Sequence, residues 1–126
     1  MYKKVMYICF SNLHQMKNSS LYKGSLNTII MKLLEEKGRM YGYEITQKVK
    51  AITLGELNIT EGALYPALHK LEAEGLLDVE VEKVDNRLRK YYKLTEKGTK
   101  ETVNRLAELE EFIKNMQNIV NPKLSY

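Results

Sequence analysis

The sequence predicts a mainly α-helical fold that contains one small β-hairpin. Apolar residues recur at helical spacing in three segments before residue 76, alternate with polar residues from residue 77, and return to helical spacing after residue 95. The chain has 126 residues, of which 44% are hydrophobic, so it can bury one core but is too short for a second domain of ordinary size. We therefore expect one compact domain and a long last helix.

The first two helices are predicted from their apolar spacing. The first starts at about Ser20 and stops at Gly38, a residue that suits the position just past a helix C-cap. Its apolar face follows the i, i+3, i+4 pattern: Leu26, Ile29, Ile30, Leu33 and Leu34. The second helix runs from about Tyr43 to Thr53, and residues 54–58 connect it onward. It directs three residues inward: Ile45, Val49 and Ile52.

The third predicted helix begins after Thr60, a residue type that caps helix N-termini, and ends at Gly75. Glu61 lies in its first turn, where a carboxylate interacts favourably with the helix dipole. Four residues form its inward face: Leu64, Ala67, Leu68 and Leu71.

Two residues of this third helix are unfavourable in helices. Gly62 costs about 1 kcal/mol relative to alanine, and Pro66 about 3 kcal/mol, because the proline ring removes the bond to the Gly62 carbonyl. One interpretation is structural: Pro66 is close enough to the first turn to be tolerated, and Gly62 lets another helix approach. The other is functional: Gly62 lets the backbone come near a phosphate. The sequence favours neither, and both can hold.

A β-hairpin follows, because the period of the pattern changes to two. Leu77 to Glu82 alternates apolar and acidic residues, the turn formers Asp85 and Asn86 come next, and Leu88 to Leu94 forms a second strand rich in tyrosine. Four cations crowd the tip and the second strand of this hairpin: Arg87, Arg89, Lys90 and Lys93.

The last predicted helix runs from about Glu96 to Asn118, and Pro122 marks its end. Its inward positions alternate at spacings of four and three, as in a heptad seam: Thr102, Leu106, Leu109, Ile113, Met116 and Val120. One alternative is that the seam packs on its own domain, but one isolated helix cannot hide it together with Phe112 and Ile119 without a partner. We therefore predict a homodimer formed through five residues: Leu106, Leu109, Ile113, Met116 and Val120.

Three helices followed at once by a hairpin is the element order of a winged helix-turn-helix. In helix-turn-helix domains the second helix of the pair enters the major groove of DNA, while neighbouring elements hold the phosphate backbone. The net charge is only +4, but positive charge is concentrated in residues 1–24 and around the hairpin. Because phosphate contacts release counterions, a basic wing beside a helix pair favours binding to double-stranded DNA.

The candidate DNA contacts lie on the third helix, just before the second helix, and on the wing. They are Tyr41, Thr60, Glu61, Gly62, Tyr65, His69, Lys70, Arg87, Arg89, Lys90 and Lys93. Tyr65 is the best single candidate, and the alternative is that it packs against the second helix or the wing. Since Lys70 is outnumbered by Glu61, Glu72 and Glu74, the wing must supply most of the attraction.

Other classes of protein are disfavoured. Cys9 is the single cysteine and there is no Cys/His cluster, so we expect no disulfide, no metal site and a reducing, cytoplasmic setting. No segment resembles a signal peptide or approaches the roughly 20 apolar residues of a membrane span. We see no catalytic constellation, and expect neither an enzyme nor a cofactor. The main alternative function is a winged helix that contacts another protein without binding DNA.

Three ordered motifs extend this interpretation: residues 41–45 (YGYEI), 61–77 (EGALYPALHKLEAEGLL) and 89–98 (RKYYKLTEKG). Together they resemble the PadR family of bacterial transcription regulators, over roughly Leu21 to Lys100. The resemblance implies a winged helix-turn-helix repressor that is dimeric through its C-terminal helix. It also implies binding to a promoter operator and, in many relatives, release by a small-molecule inducer. A dimer would read a pseudo-palindrome with half-sites about 10 bp apart or a multiple of that.

The expected domain organisation has four parts. Residues 1–20 form an N-terminal extension, 21–95 the winged helix-turn-helix domain, 96–121 the dimerisation helix and 122–126 a tail. The first 18 residues lie outside the family pattern. The wing tip reads Asp85-Asn86-Arg87-Leu88 where relatives often carry glycine or proline, which leaves its turn type open.

Overall fold

Four α-helices and three β-strands form residues 21–122, the part of the chain that the computed structural model describes. In chain order they are α1 (Leu26–Lys37), β1 (Arg39–Tyr41), α2 (Gly42–Ile52), α3 (Glu61–Ala73), β2 (Leu77–Val84), β3 (Arg87–Leu94) and α4 (Glu96–Val120). The order confirms the predicted helix-rich fold with a hairpin wing. The predicted extension, residues 1–20, and residues 123–126 of the predicted tail lie outside the described residues.

One apolar core lies between the first three helices and is closed by the sheet. Its fully buried members are Ile30, Met31, Leu34, Met40, Ile45, Leu64, Leu68, Leu71, Leu76, Leu77 and Tyr92. A short 3-10 turn, Lys23–Ser25, precedes α1, so the regular helix begins later than Ser20. Gly38 ends α1 as predicted, with a φ of 95° and its N–H donated to the Leu34 carbonyl.

The prediction that Ile52 points into the core is wrong. Ile52 is the last residue of α2 and its side chain is 59% exposed. The helix stops there because the chain reverses through Leu54 and Gly55, both of which have positive φ. The apolar contribution of this region comes instead from Ile59, which is buried, and Leu57, which is partly buried against the core.

Helix α3 has the predicted cap and the predicted inward face. The Thr60 hydroxyl oxygen accepts a hydrogen bond from the Ala63 N–H at 3.2 Å. Three of the four expected inward residues are fully buried, and Ala67 is partly buried against the same core.

The sheet has three strands, one more than the sequence predicts. Its order is β1-β3-β2, and β1 pairs antiparallel with β3 so that Met40 lies opposite Tyr92. Three residues are too few to show a period of two, which explains why the sequence pattern did not reveal β1. At the wing tip, Asp85 and Asn86 both have positive φ (49° and 63°), the backbone of a type I′ hairpin turn.

Helix α4 is fixed to the domain at its first turns. The Thr95 hydroxyl accepts a hydrogen bond from the Gly98 N–H at 3.0 Å and donates one to the Gly75 carbonyl at 2.7 Å. Gly98 packs directly on the Leu76 carbonyl, and the buried Thr102 hydroxyl donates to the Gly98 carbonyl at 2.7 Å. Within residues 21–122, no helix is both long and apolar enough to span a membrane.

We expect Gly98→Ala to lower the free energy of unfolding by about 3 kcal/mol, because a Cβ at this position would lie 2.0 Å from the Leu76 carbonyl oxygen. The Leu76 carbonyl belongs to the backbone, so it cannot rotate away as a side chain could. Urea denaturation followed by circular dichroism measures the loss.

Gly62→Ala is the matched control, since within residues 21–122 a Cβ there would meet only the Thr60 hydroxyl oxygen, at 4.0 Å. It should leave stability unchanged or raise it by up to about 1 kcal/mol through helix propensity. Equal unfolding midpoints for the two variants would contradict the proposed packing at Gly98.

Candidate nucleic-acid interface

An open groove separates the middle of α3 from the wing. It has a volume of about 680 Å³ and is lined by residues of β1, α2, α3, β2 and β3. Tyr92 forms part of the lining; its side chain is buried, and burial raises the pKa of its hydroxyl. We call this the interface groove.

The structure brings two of the candidate residues on α3 into the interface groove. Tyr65 and His69 both line it, and their rings lie 6.4 Å apart between centroids. The other candidates on or beside this helix are exposed but do not line the groove: Thr60, Glu61, Gly62 and Lys70.

Tyr65 both packs and remains accessible. Its ring lies so close to Gly42, the first residue of α2, that a Cβ on Gly42 would be 2.5 Å from the Tyr65 hydroxyl oxygen. Its side chain is nevertheless 36% exposed. Tyr65 therefore packs against the second helix, as the alternative states. The exposed part of its side chain remains available to a ligand in the groove.

Gly62 has no close neighbour on another helix within residues 21–122. Among these residues, only the Thr60 hydroxyl oxygen would come within 4.0 Å of a Cβ on Gly62. No described helix therefore uses the space that Gly62 leaves, and its approach to a phosphate stays a prediction. Pro66 lies in the second turn of α3 and is exposed, so its missing bond is on the exposed side of the helix.

The wing cations are divided between two environments. Arg87, Arg89 and Lys90 line the interface groove, and none of them takes part in an ion pair within residues 21–122. Lys93 does not line the groove, and its ammonium lies 2.6 Å from a Glu80 carboxylate oxygen. That hydrogen bond raises the pKa of Lys93 and lowers the pKa of Glu80.

Arg39 is a functional candidate that the sequence pattern missed. Its guanidinium donates to Glu80 at 2.9 Å and to Glu82 at 2.8 Å, and it lies 4.0 Å from the centre of the Tyr91 ring. Arg39 is about forty residues from the wing in sequence, and only the pairing of β1 with β3 brings it there. The only signal in the sequence was that Glu80 and Glu82 alternate on one strand and need a cationic partner.

Tyr41 connects this pair to the wing tip. Its ring packs edge to face on Tyr91 at 5.5 Å, with an angle of 79° between the planes, and the Arg89 guanidinium lies 4.1 Å from its centre. Arg39, Tyr91, Tyr41 and Arg89 thus form a continuous stack, which we call the arginine-tyrosine stack.

The predicted dimerisation residues begin buried and end exposed. Leu106 and Leu109 are half-buried, in the part of α4 that packs beside α1. Beyond them the same helix face continues uncovered, with Ile113, Met116 and Val120 exposed by 47%, 38% and 80%. Phe112 and Ile119 widen this stripe. We call these five exposed residues the α4 stripe.

A second cavity of about 310 Å³ lies between the start of α1 and α4. Leu21, Ser25, Arg105, Leu109 and Phe112 are among its lining residues, so it borders the α4 stripe. In residues 21–122, no group of three or more His, Cys, Asp or Glu side chains could hold a metal ion.

Comparisons with known proteins show the family of this chain and support the winged-helix fold. Residues 30–104 match the transcriptional regulator PadR-like family. The chain is 36% identical over 102 residues to an uncharacterised protein of Lysinibacillus sphaericus. The aligned segment covers 78% of this chain and 93% of that protein.

Two solved structures are similar in fold and sequence. A transcriptional regulator from Clostridium thermocellum superposes with a TM-score of 0.73 at 32% identity, covering 82% of this chain and 97% of that chain. Bacillus subtilis PadR, solved in complex with operator DNA, superposes with a TM-score of 0.59 at 30% identity, covering 65% of this chain and 46% of that one.

We expect Gly42→Ala to destabilise the protein by about 1 kcal/mol, because the new Cβ displaces the Tyr65 ring. In a Tyr65→Ala background the same change should cost almost nothing. A double-mutant cycle in urea measures this coupling.

The matched control is Gly24→Ala, because no atom of the described residues lies within 4 Å of a Cβ at Gly24. An equal loss from Gly42→Ala with and without the Tyr65 ring would show that the two residues are not coupled.

Proposed function

We propose that this chain, which belongs to the PadR-like family of transcriptional regulators, is a homodimeric repressor that binds a pseudo-palindromic operator in double-stranded DNA. The observation that carries the proposal is the interface groove, where three wing cations that have no carboxylate partner within residues 21–122 lie beside exposed residues of α3. The operator complex of Bacillus subtilis PadR supports DNA as the partner.

The wing supplies most of the attraction in this proposal. Arg87, Arg89 and Lys90 provide three cations for phosphates in each protomer, hence about six in a dimer. Lys93 contributes less, because binding a phosphate would compete with its bond to Glu80.

Helix α3 carries more acidic than basic side chains, so it adds little attraction for DNA. In this proposal its role is to read the nucleobases. Tyr65 and His69 reach base edges from the groove, while Thr60, Gly62 and Lys70 approach the adjacent backbone. Glu61 is placed to accept from cytosine N4, or else serves only the helix dipole. These roles follow from exposure and position on the helix.

The homodimer forms through the seam of α4 in this proposal. Leu106 and Leu109 continue into Ile113, Met116 and Val120 along one face, and the exposed part needs a cover of similar apolar character. A second copy presents the same stripe, which suits a two-fold interface and a two-fold operator.

The finer organisation rests on the same features. In this proposal residues 21–95 form the DNA-binding domain and residues 96–121 form the dimerisation helix. The protein acts in the cytoplasm. A small-molecule inducer would enter the cavity that borders the α4 stripe and act on the packing of the two protomers. The family is one of regulators, and we assign no catalytic residue.

Titration of duplex DNA at several salt concentrations tests the proposal. With about six phosphate contacts per dimer, the logarithm of the association constant should fall against the logarithm of salt concentration with a slope near −5. Replacing Arg87, Arg89 and Lys90 with alanine should flatten most of that slope. Binding that is absent, or independent of salt, would favour a winged helix that contacts only proteins.

A control variant removes the same charge elsewhere. Lys50, Lys100 and Lys114 are exposed and do not line the interface groove, so their replacement with alanine should leave the slope nearly unchanged. An equal loss of salt slope in the two triple variants would mean that DNA binding depends on the net charge and not on the wing.

Sedimentation of an Ile113→Asp, Met116→Asp variant tests the dimer. Burying carboxylates in an apolar interface is costly, so we expect dimer dissociation to become at least about a hundredfold easier. Val103→Asp is the control, because Val103 is 62% exposed but lies about 100° around the helix from Thr102. A double variant that sediments like the wild type would rule out this face.

A further inference from the structure

The arginine-tyrosine stack is fixed at one end and open at the other. At the fixed end, Arg39 makes two bonds to carboxylates, with Glu80 and Glu82. At the open end, the Arg89 guanidinium rests on the Tyr41 ring and lies 3.5 Å from the Tyr91 hydroxyl oxygen. Arg89 lines the interface groove, so the open end of the stack is inside the surface proposed for DNA.

Arg89 therefore differs from its two neighbours on the wing. Within residues 21–122, the side chains of Arg87 and Lys90 have no ion pair, ring contact or side-chain hydrogen bond. A long cationic side chain loses rotamer freedom when it binds a phosphate, and a chain already held in place loses less. A tyrosine face holds a guanidinium without neutralising it, whereas a carboxylate would cancel its charge.

Tyr41 is placed to transmit this position to the helix pair. It is the last residue of β1, and the next residue, Gly42, begins α2 and packs against Tyr65. The Tyr41 N–H donates to a Glu44 carboxylate oxygen in the first turn of α2 at 3.4 Å. Two consecutive residues thus hold the wing arginine on one side and the α3 tyrosine on the other.

We propose that Tyr41 is a positioning residue: its ring face holds Arg89 toward a DNA phosphate, and its hydroxyl does not itself contact the DNA. This inference rests on the proposed DNA-binding function. It replaces the sequence-based expectation of a direct contact by Tyr41 with an action through Arg89.

The test compares Tyr41→Phe with Tyr41→Leu in salt-dependent titrations of duplex DNA. Phenylalanine keeps the ring face, so affinity and slope should stay within about twofold of the wild type. Leucine removes the face, so affinity should fall about tenfold and the slope should lose up to about 2, the equivalent of one phosphate contact per protomer. In an Arg89→Ala background, Tyr41→Leu should have no further effect.

Tyr22→Leu is the matched control, because Tyr22 does not line the groove and has no ring contact within residues 21–122. It should not change the salt slope. The Arg89 side-chain resonances in the free protein give a readout that does not depend on DNA. They should be shifted upfield by the ring in the wild type and in Tyr41→Phe, and not in Tyr41→Leu.

Two results would overturn the inference. An equal loss of affinity in Tyr41→Phe and Tyr41→Leu would assign the effect to the hydroxyl. Arg89 resonances without an upfield shift in the wild type would remove the stack, and this measurement holds even if the leucine variant does not fold. A wild-type protein that shows no salt-dependent binding would instead reject the proposed function, while leaving the Arg89 resonances to report on the stack.

Discussion

The contact between Gly98 and the Leu76 carbonyl is the constraint on which the rest of the structure depends. Helix α3 ends just before this point, both strands of the wing meet next to it through the pair Leu77 and Leu94, and α4 begins there. The Thr95 N–H donates to the Leu76 carbonyl at 3.0 Å, and the Lys97 ammonium donates to the Glu74 carbonyl at 3.0 Å. Backbone groups released at the end of one helix are therefore satisfied by the start of the next. The orientation of α3, the wing and α4 is set in one place.

Charge on the sheet is arranged by a second principle, the separation of paired from unpaired cations. Near β1, Arg39 and Lys93 share Glu80, and their charges are used within the protein. Toward the tip, Arg87, Arg89 and Lys90 have no carboxylate within ion-pair distance in the described residues. An external polyanion would therefore interact with the unpaired cations at the tip and not with the paired cations near β1. The net charge of +4 understates this arrangement, because it sums cations that are available with cations that are not.

Local signals in the sequence predicted the helices, the cap at Thr60 and the hairpin, because each of these depends on neighbours within a few residues. Thr60 caps the helix that it precedes, and Asp85 and Asn86 adopt the turn that their types favour. What the sequence could not predict depends on distant pairing. Strand β1 is a strand only because it pairs with β3. Ile52 is exposed because the chain reverses just after it. In the candidate site, the sequence identified the cations of the wing, but the position of Arg89 required the third strand, and the pairing of Lys93 with Glu80 required the register of the hairpin.

The uneven burial of α4 has a mechanical consequence. Its first turns are clamped to the domain, and residues 99–120 contain no glycine or proline that could act as a hinge. The helix is therefore a rigid rod, about 33 Å long over these residues, whose first part packs on the domain and whose last part carries the α4 stripe. Inserting one residue into such a rod would rotate a partner on this stripe by about 100°, whereas inserting seven would nearly restore its phase. In a dimer built on this helix, the distance between half-sites would change in helical steps and not continuously.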